Sequence, residues 1–458
     1  MSSASSKAKL APLDRAFLLS VVLGPAASYS IVYLFHLVLA AKLTRSVLHL
    51  LAGKAFSIPR AVRWDVAFFC FFVGWYVLSI LWAENTAYAL RYCAYVIMAA
   101  LTVFYTIRIC DTEPRLQAAF RFLAIAFSIE ILLTVLEGAR LIRLPFSAFS
   151  PYQTYFGRTP SDLSQFGGTA IEYILSMPTG FFGNPNNLAS FLVLILPFFL
   201  LHRRWSVKLA GALSILFVVY MAGARAAMIA YVMVLLLSLI LYASYAARLL
   251  TITVVVVAGS LGAGLVEIMK ESEIPRVAEV GSIGVAMRDL VVGLSEGAED
   301  QKMTSTGARV QLIMNGLGAL RDSYGLGVGA GGSQTVQEQS PDQPGKLTSM
   351  HNFWVELLVD GGIGYAFVFG AWYLSLLWRL FQVARRASSP RLLYYARAFF
   401  VGFVGFIPSA IGPSSTIYML PMWMMVGMAI ATIAVERRLA VTGYKPVRTQ
   451  PLRTRAAI

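Results

Sequence analysis

Charge is scarce in this chain. Asp, Glu, Lys and Arg make up only 13% of it, about half the share found in a soluble domain. With 58% hydrophobic residues and a mean hydropathy of +0.68, that scarcity excludes a water-soluble globular protein and defines an integral membrane protein. Cysteine is scarcer still: Cys70 and Cys93 lie in apolar stretches and Cys110 just past one. The long polar segments therefore have no disulfide staple and no thiolate metal site. The net charge of +15 does not point to nucleic acid, because the basic residues sit in short loops between apolar runs, as membrane orientation demands. There is no internal repeat and no heptad array.

What is present is a series of lipid-length apolar runs, each near the roughly 20 residues needed to cross a hydrocarbon core. Ten qualify: 64–83, 88–108, 117–138, 186–201, 206–223, 226–244, 249–268, 361–379, 393–411 and 416–435. A further apolar segment, 16–41, is broken by Gly24-Pro25. The fold class expected is an all-α polytopic membrane protein with 11–12 transmembrane helices and one long extracytoplasmic loop.

Lysine and arginine set the orientation. Arg108 with Arg115, Arg203 with Arg204 and Lys208, Arg248, the run from Arg379 to Arg397, and the tail from Arg437 to Arg455 alternate correctly as cytoplasmic loops. Segments 139–185 and 269–350 then fall outside; the second holds seven Lys/Arg against ten Asp/Glu. Basic residues flank 16–41 on both sides, which a hairpin bent at Gly24-Pro25 satisfies and a single span does not. A signal peptide cleaved near Pro25-Ala26-Ala27 is the alternative. The organisation expected is an N-terminal tail and membrane hairpin (1–63), a transmembrane core (64–268), an extracytoplasmic loop (269–350), the rest of the core (351–435) and a cytoplasmic tail (436–458).

Chemistry on a water-side substrate is expected where the long polar segment returns to the membrane. His351, among four histidines the one placed outside, opens an apolar helix beside Asn352. Glu356 lies about 140° around that helix from His351 at 3.6 residues per turn, so its role reads as structural. Arg225 and Arg309 could form a two-pronged clamp, since guanidinium forks match phosphate oxygens; an interfacial arginine snorkelling to headgroups is the competing reading of Arg225. Asn184 before Pro185 fits a helix cap with a first-turn proline, and Asn187 follows in the same turn. The run Gly325-Leu326-Gly327-Val328-Gly329-Ala330-Gly331-Gly332 lacks the Lys-Ser/Thr of a nucleotide loop and reads as a tight turn needing close backbone approach. Glu130, within a span, raises proton coupling, with Arg91 and Arg121 as possible partners.

In their order, Phe182-Gly183-Asn184-Pro185-Asn186-Asn187, Gly223-Ala224-Arg225-Ala226, Arg309 heading a helix that ends in the glycine run, and His351-Asn352 with Glu356 and Gly361-Gly362-Ile363-Gly364 resemble the O-antigen ligase and polymerase family of bacterial envelope glycosyltransferases. The resemblance covers about residues 180–380. It departs from the family pattern where Val310 to Met314 lack the tryptophan often found after the equivalent of Arg309, and where Ala224 replaces serine. It implies a helical fold of the lipid-linked glycosyltransferase (GT-C-like) type in the bacterial inner membrane, acting on its outer face with no cofactor and no metal. It also implies an undecaprenyl-diphosphate-linked glycan donor, a glycan or lipid-linked acceptor and a chain-length regulator as partners. On this chain His351 would act on the acceptor and Arg225 and Arg309 would bind diphosphate, with Asn352, Glu356, Asn184 and Asn187 in support. A repeat-unit polymerase is the reading preferred, because the aqueous loop is long and lacks a basic lipopolysaccharide-binding surface. A ligase acting on lipid A core or protein is the alternative. A flippase would predict internal pseudo-symmetry and charged residues in several spans, and the sequence has neither.

Overall fold

The computed structural model describes residues 9–53, 59–159, 168–242, 305–343, 347–413 and 416–441. The span expected at 249–268 and the first part of the 269–350 loop lie outside the described residues. What is described is an all-α polytopic membrane protein. Its helices are α1 (Pro12–Leu23), α2 (Leu34–Leu51), α3 (Arg63–Leu78), α4 (Thr86–Ile109), α5 (Glu113–Gly138), α6 (Gly168–Ser176) and α7 (Pro185–Leu200). There follow α8 (Trp205–Met221), α9 (Arg225–Tyr242), α10 (Ser305–Asp322), α11 (Gly332–Gln339), α12 (Phe353–Arg386), α13 (Pro390–Ser409) and α14 (Leu420–Val441). Among the described residues seven helical segments are long and apolar enough to cross a membrane; α7 and α8 are apolar but shorter.

The first two helices turn at Gly24-Pro25 through a 3-10 segment and a two-residue β pairing, Ser28 with Tyr33 and Tyr29 with Val32. At 12 residues, α1 is about 18 Å long at 1.5 Å per residue, well short of a roughly 30 Å core. Only α2 of this pair is long enough to span.

The two ends of the bundle differ in chemistry. At one end Lys42 pairs with Asp14 at 2.7 Å, Arg379 grips the fully buried Asp65 with two nitrogens at 2.8 and 2.6 Å, and Glu436 accepts from the Ser388 N–H and hydroxyl. Trp372 donates to the same Asp65 at 3.1 Å. A buried carboxylate stripped of its only cation is left uncompensated, and that costs about 3–5 kcal/mol, so this end is clamped. At the other end the connecting segments pack on one another. Arg158 reaches back to the Ser28 hydroxyl at 2.5 Å and to the Phe146 carbonyl at 3.0 Å, while Pro25 lies beside Gly183.

Hydropathy placed a span at 361–379, but α12 starts at Phe353. The Asn352 side chain caps it, accepting from the N–H groups of Trp354 and Val355, and the helix breaks at Gly362, where φ is +84°. The glycine turn fills the break. Val328 N–H donates to the Val359 carbonyl, Gly329 N–H to Asp360, and Ile363 N–H to Gly325. A Cβ on Gly327 would stand 2.7 Å from the Asp360 carbonyl oxygen, so two backbones meet where no side chain fits. Gly327→Ala is expected to destabilise the protein by at least the roughly 1–3 kcal/mol of a residue forced into unfavourable φ/ψ, read as a lower melting temperature in detergent.

Candidate active site at one end of the bundle

Four helix beginnings build the site. Asn184 caps α7, its side-chain oxygen accepting from Asn186 N–H at 2.9 Å and Asn187 N–H at 3.2 Å, with Pro185 in the first turn. Asn187 is buried there. A cap of this kind stabilises a helix by about 1 kcal/mol, and it aims the positive end of the α7 dipole at the site. Gly223, at φ +62°, turns the chain sharply out of α8 so that Arg225 stands as the first residue of α9. Arg309 lies one turn into α10.

His351 occupies the residue before the α12 cap, and its backbone is left-handed at φ +47°. Outside glycine that conformation is uncommon; neighbours hold it in place. Its N–H donates to the Ser349 hydroxyl at 3.3 Å, and next along the chain Phe353 N–H donates to the Ala410 carbonyl at 3.0 Å. Gly412, two residues beyond, contacts the His351 ring and lies against Asn186 of α7 and Ala226 of α9. Thus His351, the start of α7 and the start of α9 share one space.

The electrostatics follow. Burial first and the nearby Arg309 second, partly offset by the Gly412 backbone, together push the His351 imidazole down to about 4. Arg309 is itself shifted down, first by burial and then by the positive charge of Arg225. The three candidate residues therefore feel one another. Two like charges in a partly dry space disfavour each other and favour an anion between them. His351 Nδ1 is buried and has no hydrogen-bond partner among the described residues.

A pH dependence results. His351 stays neutral down to about pH 4 in the folded protein, whereas an unfolded histidine takes a proton near 6.5. Stability that rests on the neutral ring is thus complete above 6.5 and is lost as pH falls toward 4. The acid limb of kcat/KM, which reports the free enzyme, is expected near 4 rather than near 6.5. It should be absent from the residual activity of a His351→Ala variant, as measured in a pH–rate profile.

The other expected residues act at one remove. Glu356, buried, accepts from the Tyr92 hydroxyl at 2.9 Å and ties α12 to α4. Glu130 does not pair with Arg91 or Arg121; it accepts from Phe181 N–H at 2.9 Å. Its neighbour Glu137 accepts from the N–H groups of Thr179 and Gly180 and pairs with Arg143 at 2.9 Å. Together the two acids hold the turn that delivers Asn184. Sequence reasoning gave no role to three further supports. Asp360 accepts from the N–H groups of Gly331 and Ser333 at the start of α11. Trp75 and Trp82 donate to the carbonyls of Gly361 and Gly327. An acid beside a double glycine was a visible signal for Asp360; nothing local marked the tryptophans.

Fold and site define a polytopic membrane protein with two arginines and a buried histidine close together at one end of its bundle. Residues 209–370 match the family described as O-antigen ligase, so the likeness read from Arg225, Arg309 and His351 holds over the segment that contains all three. The chain is also similar to the teichuronic acid biosynthesis protein TuaE of Bacillus subtilis (strain 168), with 22% identity over 385 residues, covering 82% of this chain and 73% of that protein.

Proposed function

We propose that this chain is a membrane glycosyltransferase of envelope polysaccharide synthesis, working on the outer face of the bacterial inner membrane. Its donor is an oligosaccharide on undecaprenyl diphosphate, and the reaction is repeat-unit polymerisation. One observation carries this: Arg225, Arg309 and His351, far apart in sequence, meet at the bundle end away from the clamped basic loops. In the transfer an acceptor hydroxyl oxygen bonds to the anomeric carbon as the bond to diphosphate breaks. The hydroxyl proton goes to the imidazole, and the electron pair leaves with the diphosphate, held by the two guanidinium groups. The donor is already activated, so the step consumes no nucleotide. Burial is the main cause that keeps His351 neutral; diphosphate between the arginines would offset the smaller part that comes from Arg309.

The TuaE likeness supports polysaccharide assembly, whereas the description of the matched family favours ligation as the second reading. The test uses right-side-out membrane vesicles carrying the protein, with lipid-linked repeat units added to the outer leaflet. Polymerisation gives a ladder of lipid-linked chains without any other acceptor. A product formed only when lipid A core is added identifies a ligase, and no product in either case removes the transferase reading.

A further inference from the structure

The end of the bundle opposite His351 holds a pocket of about 320 Å³ between α5, α7, α13 and α14. Its wall is apolar, with Phe198, Phe199, Leu123 and Met428, and Phe120 stacks on Tyr395 at 3.7 Å between ring centroids. Arg121 and His202 also line it. Beside Arg121 stands Arg391, from the first turn of α13. With the Gln117 amide turned so that its oxygen faces them, both donate to this one neutral acceptor, at 2.9 Å from Arg121 and 3.1 Å from Arg391. At this end Lys42 and Arg115 pair with Asp14, Arg115 also with Asp111, and Arg379 with Asp65. Arg121 and Arg391 make no ion pair among the described residues. The nearby acid Glu113 accepts from the Ser389 hydroxyl at 2.9 Å.

We propose that this pocket binds an anionic phospholipid, its phosphate held by Arg121, Arg391 and His202 and one acyl chain lying along Phe198, Phe199 and Met428. Arg121 lies eight residues into α5, about 12 Å along its axis, and both it and Arg391 are exposed, so a lipid phosphate can reach the two guanidinium groups. A single amide oxygen cannot neutralise two guanidinium groups. A phosphate offers charge and several acceptor oxygens, and an apolar cavity opening beside that charge suits an acyl chain rather than a soluble anion.

The experiment is native mass spectrometry of the full chain, released from neutral detergent after incubation with phosphatidylglycerol, phosphatidylcholine or undecaprenyl monophosphate. Phosphatidylglycerol is expected to stay bound and phosphatidylcholine to be lost. Arg121→Gln with Arg391→Gln should weaken retention at least about tenfold, since each lost charge-assisted hydrogen bond to phosphate is worth that much. Ala124→Leu, which narrows the pocket and spares both arginines, should weaken it too and serves if the double variant does not fold. Equal retention of phosphatidylcholine, preference for undecaprenyl monophosphate, or full retention in the variants overturns the proposal.

Discussion

His351→Ala is expected to lower the rate of glycan transfer by about 10²–10⁴-fold, the usual contribution of a positioned base, while donor affinity changes little. In the proposed mechanism the arginines bind the donor, and the imidazole meets the acceptor proton only as transfer proceeds. Because His351 sits at φ +47°, alanine adds backbone strain of its own. His351→Asn is the matched control, since asparagine tolerates the left-handed region and still forms hydrogen bonds. If Asn transfers near the wild-type rate, the residue orients the acceptor and the base lies elsewhere. If Ala does so in a purified assay with defined donor and acceptor, the residue is a helix-start histidine and nothing more.

Arg309→Lys is expected to cost about 10²–10³-fold in kcat, the size of losing one preorganised donor to developing negative charge. Formal charge is kept, but one ammonium cannot replace a planar fork. Arg225→Lys should behave alike. The double variant should fall short of the product of the two, because the arginines act on one another and neighbouring sites are not additive. Single-turnover rates and donor binding, measured separately on purified protein, give the answer. Wild-type turnover in either lysine variant would make that arginine an interfacial anchor.

Much of this could be read from the chain because its signals were local. Asn184 before Pro185 announced a cap, and α7 begins there. The positive-φ glycines from Gly325 to Gly331 announced close approach, though not to what: their partner, the break at Gly362, is contributed by another part of the chain. Hydropathy missed the first turns of α12 because Glu356 and Asp360 interrupt the apolar run, and both prove buried and hydrogen-bonded. The stretch 332–339 looked like loop because α11 is polar, yet its start is held by Asp360 and its far end by Tyr88 and Glu84. What joins His351 to α7 and α9 is Gly412, and no spacing in a sequence reports a contact between three helix ends.

The last of the described helices has a consequence for biosynthesis. In α14 every residue from Leu420 to Glu436 is buried, and α4 is the neighbour it meets most closely, with α1, α5, α12 and α13 around it. A helix apolar on all sides belongs inside a bundle, but this one leaves the ribosome after all the helices that enclose it. Those helices are made before the helix they enclose, so their final packing waits for α14. The protein cannot mature segment by segment in the order of its synthesis. A nascent chain halted before Leu420 carries Arg225, Arg309 and His351 and still lacks the helix that the rest of the bundle encloses.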